Sequence, residues 1–120
     1  MLPPIYTWLK ASNAVKNIIG TTPRAYRHGD APQDTTKPYV TWALVGGVPD
    51  NELSSVPVSD RYTIQVDCWH NTDKGVEDLA EAVRDAVESH AHMTSMPING
   101  RDAETKLYRI ALQFDVLQNR

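Results

Sequence analysis

Residues 61–88 read RYTIQVDCWHNTDKGVEDLAEAVRDAVE, and the change of period inside that stretch decides the fold. Its first ten residues alternate. Tyr62, Ile64, Val66 and Cys68 share one face, and Arg61, Thr63, Gln65, Asp67 and Trp69 share the other, the pattern of a half-buried antiparallel strand. From residue 73 the period becomes helical, with Val76, Leu79, Ala80, Val83 and Val87 forming one continuous apolar stripe. Asn71, Thr72 and Asp73 supply an N-cap, and Glu77 and Asp78 place negative charge in the early turns, where the helix dipole favours it. Arg84 stands at pairing distance from Glu81 and Glu88 on the outer face, and His90 and His92 are expected to close the helix at its negative end.

Working outward, residues 37–46, KPYVTWALVG, are rich in β-branched and aromatic side chains and predict a second strand. Val40, Trp42 and Leu44 face one way, and Tyr39, Thr41, Ala43 and Val45 the other; both sets are apolar enough that the core side stays open. Residues 46–60, GGVPDNELSSVPVSD, read as a long connection, the kind that is functional or mobile in compact domains. Upstream, Pro3 and Pro4 suit a first helical turn, and Ile5, Trp8, Leu9, Val15, Ile18 and Ile19 extend an apolar stripe that Gly20 ends. Ser12 or Asn13 is placed to cap a second piece after a bend. Turn formers dominate residues 21–37, with a short strand expected at 24–27. Downstream, residues 96–99 predict a short strand, and 106–117, KLYRIALQFDVL, a last one with Tyr108, Ile110, Leu112, Phe114 and Val116 on one face. The order predicts one α+β domain over residues 1–120. Its antiparallel sheet of four to five strands carries an N-terminal helix and one long helix packed on one face.

Composition narrows the function. The chain has 120 residues, one ordinary domain, and a net charge of −3 with its bases scattered. Nucleic-acid binding needs a clustered positive face, and only Arg24, Arg27 and His28 fall together. No apolar run approaches the roughly 18 residues of a membrane span, and residues 1–13 lack the pattern of a secretory signal, so synthesis in the cytosol is expected. Cys68 is the only cysteine, which excludes an internal disulfide and a zinc signature of the CxxC type.

Candidate chemistry is thin. Cys68 and His70 invite a nucleophile–base reading, but residues two apart on a strand sit about 6.5–7 Å apart, too far for a hydrogen bond. Cys68 also continues the apolar series, where a buried thiol acts as a small hydrophobe. Asp67, His70, His90 and His92 are metal-capable, yet His90 and His92 would project about 200° apart on a helix. Asp102 with Glu104, and Glu77 with Glu81, lie where solvated charge is expected. No catalytic group, metal or cofactor is therefore predicted. Trp69 stands out, a large aromatic on the polar Gln65/Asp67 face; it is either packed under a loop or helix or kept for a partner.

Read in order, several short motifs form one pattern. Gly20 ends a helix; Ala31, Pro32 and Gln33 precede Pro38, Tyr39, Val40 and Trp42; Gly47, Pro49, Asn51 and Leu53 follow; then come Gln65, Asp67 and Trp69 and an alanine-rich helix. Over about the first 90 residues the chain resembles the phage and prophage tail completion proteins, also called tail terminators or minor tail proteins. Residues 25–27, Ala-Tyr-Arg, depart from that family's usual isoleucine and following proline. The resemblance implies an α+β virion protein, made in the host bacterial cytoplasm. It implies a hexameric ring that caps the tail tube, ends tube polymerisation and gives the head side a joining surface. The implied partners are further copies of the chain, the tail tube protein and the head–tail connector, with no sequence-specific nucleic acid and no membrane. Val48, Pro49, Asn51, Leu53, Val56, Pro57, Gln65, Asp67 and Trp69 are the expected interface residues. The rival readings are a head–tail connector or adaptor, and a small enzyme using Cys68 or the histidines.

Overall fold

The structure, a computed structural model, describes residues 2–27, 31–32, 35–49 and 59–119. The N-terminal stripe forms two short helices, α1 (Ile5–Lys10) and α2 (Asn13–Ile19). Each buries a pair at i, i+4: Ile5 with Leu9, and Val15 with Ile19. Ser12 makes the break, because its hydroxyl accepts the Val15 N–H at 3.2 Å and caps α2. Gly20 ends α2 at φ +101°, a left-handed conformation that strains any residue carrying a Cβ.

Five strands make one sheet: β1 (Ala25–Arg27), β2 (Tyr39–Pro49), β3 (Ser59–His70), β4 (His92–Arg101) and β5 (Tyr108–Asn119), in the order β1-β2-β3-β5-β4. The strand at Ala25–Arg27 forms despite the departure of those residues from the family pattern. It runs parallel to β2, so the sheet is mixed at that edge and antiparallel elsewhere, rather than antiparallel throughout. Helix α3 (Asp73–Glu88) follows β3 and, with α1 and α2, covers one face. Thr72 caps it, accepting the Gly75 N–H at 3.0 Å. One apolar cluster joins Val76, Leu79, Val83 and Val87 of α3 to Ile64, Val66, Cys68, Ile110 and Phe114 of the central strands and to both N-terminal helices. Val40 is buried, and Trp42 and Leu44 pack against this cluster, which settles the core side of β2.

Three boundaries differ from the sequence reading. Residues 46–49 and 59–60 are strand, not loop: β2 and β3 pair out to Pro49↔Asp60. A bulge between Leu44 and Gly46 inserts one residue and reverses the facing of β2 beyond it, so that Gly47 pairs with Tyr62 and Val48 with Arg61. A Cβ on Gly47 would stand 2.8 Å from the Tyr62 ring, so a glycine is needed there, and an alternation read without the bulge breaks at this point. The short strand expected at 96–99 spans His92–Arg101. It is a largely exposed edge strand with register irregularities on both sides of Ser95 and with Pro97 among its residues, so no clean period marks it. Finally, α3 stops at Glu88. His90 lies in the turn beyond it, stacked on Trp8 of α1 (ring centroids 4.6 Å apart, interplanar angle 7°), and His92 opens β4, so the two histidines do not close the helix.

Candidate protein-contact surface

Among the described residues no helix covers the second face of the sheet, and strand pairing fixes which side chains meet on it. Tyr39 pairs with Trp69 and Trp69 with Arg109; Thr41 pairs with Asp67 and Asp67 with Ala111; Gln65 lies between Ala43 and Gln113. These three rows build a closed network across β2, β3 and β5. The Trp69 indole N–H donates to Thr41 Oγ1 at 3.1 Å, its ring lies against Tyr39 (6.0 Å, 14°), and the Arg109 guanidinium sits 4.9 Å from its centroid. Arg109 Nη2 donates to Asp67 Oδ2 at 2.9 Å, and Gln65 Nε2 donates to Asp67 Oδ1 at 3.0 Å. Asp67 therefore accepts from two donors, and Trp69 is held by an aromatic ring, a cation and a hydrogen bond. One row further along, Thr63 donates to Asp115 at 2.9 Å.

Trp69 also meets the chain that follows β1. With Tyr39, Thr41 and Asp67 it lines an open cleft of about 550 Å³ whose opposite wall carries Ala31, Pro32, Thr35 and Lys37. There Thr35 donates its hydroxyl to the Pro32 carbonyl. Burial, with Asp102 a lesser cause, raises the Tyr39 phenol above its usual range, so it stays a neutral hydroxyl at the cleft. The Trp69 ring thus packs within its own chain, and its remaining surface opens into the cleft.

Of the expected interface residues, the structure brings Gln65, Asp67 and Trp69 together. Val48 and Pro49 lie at the exposed far end of β2, while Asn51, Leu53, Val56 and Pro57 fall outside the described residues. Sequence reasoning missed Arg109, Tyr39 and Thr41 as members of the same cluster. The signal was present: Arg109 alternates onto the outer face of its strand, and antiparallel pairing sets it beside Trp69.

The Cys68–His70 reading fails on geometry. Cys68 is fully buried, and burial, followed by the neighbouring Asp67 charge, pushes its thiol far above the range in which a thiolate forms. The His70 ring lies instead over Gly75, where a Cβ would overlap it, and Nδ1 accepts the Thr72 N–H at 3.2 Å. Partial burial lowers the His70 pKa, an effect that Asp78 opposes. Among the described residues no three His, Cys, Asp or Glu side chains are grouped to hold a metal, and no helix is long and apolar enough to cross a membrane.

Solved structures share this architecture. A chain of a native gene transfer agent particle virion superposes with a TM-score of 0.70 at 15% identity, covering 97% of this chain and 92% of that one. The bacteriophage SPP1 gp17 protein superposes with a TM-score of 0.54, also at 15% identity, over 97% and 88% of the two chains. At that identity the likeness speaks for the fold. No curated protein sequence matches the chain. The family model for tail completion protein gp17 matches residues 3–119, which sets the class as a structural protein of the phage tail. The chain belongs to the tail completion protein gp17 family.

Proposed function

We propose that this chain, acting as one domain over residues 1–120, forms a ring on the end of the tail tube, stops tube polymerisation and offers the surface to which the head side joins. The observation that carries this reading is the sheet face that no described helix covers. Its side chains are already locked by Tyr39, Asp67, Trp69 and Arg109, so little side-chain entropy remains to be lost when a partner covers it. Family membership supports the tail as the place of that partner. Gln65, Asp67 and Trp69, with Val48, Pro49, Asn51, Leu53, Val56 and Pro57, are the proposed contacts. The partners are further copies of the chain, the tail tube protein and the head–tail connector, met after synthesis in the bacterial cytoplasm.

The test is electron microscopy of particles assembled without this protein. Overlong tails lacking heads are expected. Tails of normal length beside tailless heads would instead assign the chain to the connector.

A further inference from the structure

Two exposed apolar surfaces lie on opposite faces of the sheet. The first is a cross-strand row at the far end of the bare face, Val48–Arg61–Leu117, set by the pairings Val48↔Arg61 and Arg61↔Leu117. Val48 is 59% exposed and Leu117 54%. Arg61, between them, is exposed and has no ion pair among the described residues. Large apolar side chains flanking a cation in open solvent mark a contact surface.

The second surface is a groove of about 360 Å³ on the helix-bearing face, between α3 and the edge strand β4. Its floor is Ala80, Met93, Met96, Ile110 and Leu112, with Met96 48% exposed. Its rim is acidic: Asp73, Glu77 and Glu81 stand along it. The one rim base, Arg84, is committed to Asp85 at 3.0 Å and Glu88 at 3.6 Å, and nearby Lys74 to Asp78 at 2.9 Å. The groove fits an apolar segment that carries a positive charge, which is the composition of the row.

A chain cannot fill its own groove. Leu117 lies five residues along β5 from Leu112, about 17 Å at strand rise, and on the opposite face of the sheet. We infer that the Val48–Arg61–Leu117 row of one copy enters the α3/β4 groove of a second copy, with Arg61 facing Glu77 and Glu81. The contact is heterologous. Each copy gives one surface and receives the other, so association propagates head to tail and ends only when the rotation closes a ring. The inference rests on the ring reading and names the two surfaces that make the ring. Flexible methionines on the floor suit the fit, since their side chains repack around a β-branched or leucine anchor.

Val48→Cys/Met96→Cys, oxidised both as purified protein and on capped tubes, tests the contact, with circular dichroism confirming each variant's fold. A ladder of cross-linked copies from the double variant, and none from either single variant, is expected. In parallel, Arg61→Glu should weaken self-association, read by sedimentation velocity, by at least about tenfold. Combining it with Glu77→Lys and Glu81→Lys should recover most of that loss. Cross-linking of Val48→Cys alone would mean that like surfaces meet, and would overturn the inference. So would wild-type rings that persist unchanged in Arg61→Glu while the double variant stays uncross-linked; the ring reading would survive that result. Wild-type protein that remains monomeric both free and on tubes would end both.

Discussion

Replacing Leu79 and Arg84 separately by alanine tests the phase of α3, on which the whole layering depends. Leu79 is fully buried in the cluster between α3 and the sheet. Truncation removes its buried methyl groups and leaves a cavity that strands β3 and β5 cannot close without bending, so a loss of about 2–5 kcal/mol is expected. Unfolding entropy of about 2.1 cal/mol/K per residue gives about 0.25 kcal/mol/K for a chain of 120 residues, so each kcal/mol moves the melting midpoint by about 4 °C. Leu79→Ala should therefore melt about 8–20 °C lower.

Arg84, five residues on, faces solvent with its side chain 43% exposed, paired with Asp85 and Glu88, themselves exposed. Exposed pairs are screened by solvent and contribute little, and alanine's helix propensity offsets part of even that, so the midpoint should move far less than for Leu79→Ala. Urea unfolding followed by circular dichroism measures both. The m-value must stay constant across the set for the comparison to stand. If Arg84→Ala cost as much as Leu79→Ala, the apolar stripe would be on the wrong side of the helix and the bare face of the sheet would not be bare.

Cys68→Ala should cost about 1 kcal/mol and leave tail assembly intact, and a thiol reagent should modify native wild type only as fast as it unfolds; rapid modification of the folded protein would refute the buried-core role. Arg109→Ala should cost about 1–3 kcal/mol, because Asp67 loses a charged donor on a half-buried face, and Arg109→Lys should recover only part, since an ammonium cannot also lie flat against Trp69; equal stability of lysine and arginine would dismiss the stacked geometry. His70 has a folded pKa below its unfolded value near 6.5, so its neutral contribution is fully present above about pH 6.5 and is lost as pH falls through the window below. His70→Gln should flatten that part of the stability–pH curve, and Gly75→Ala, by displacing the ring from its partly buried seat, should move the His70 titration upward by NMR; no movement would separate the shift from the Gly75 contact.

The elements legible in the sequence are those whose period has a single cause. In α3, Val76, Leu79, Val83 and Val87 all answer to one core, and in β3 and β5 every second residue does, so a period of 3.6 or 2 survives from end to end. The elements misread are those with two causes. β4 packs Met93 toward α3 but leaves most of its length in solvent at the sheet edge, with Pro97 beside a register irregularity, so neither face imposes a period. At the far end of β2 the Tyr62 ring occupies the space of a side chain at Gly47, while nothing crowds Gly46, and the two glycines with Pro49 read as loop. His90 looked like a helix-terminal cation because its real partner, Trp8, lies more than eighty positions away.

The candidate contact surface follows the same division. Gln65, Asp67 and Trp69 were visible because they alternate on one strand, a local property. Arg109 and Tyr39 complete the cluster only through the registers β3↔β5 and β2↔β3, which a single strand does not encode. Register here is set by the buried face: slipping β5 by one residue would carry Ile110, Leu112 and Phe114 out of the core and expose Arg109 and Asp115 to it. The apolar layer beneath α3 therefore also places Arg109 beside Trp69 and Asp67 on the opposite face. A core substitution that shifts β5 should disturb that network without touching any of its residues, whereas Arg109→Ala should leave the packing of Phe114 as it is.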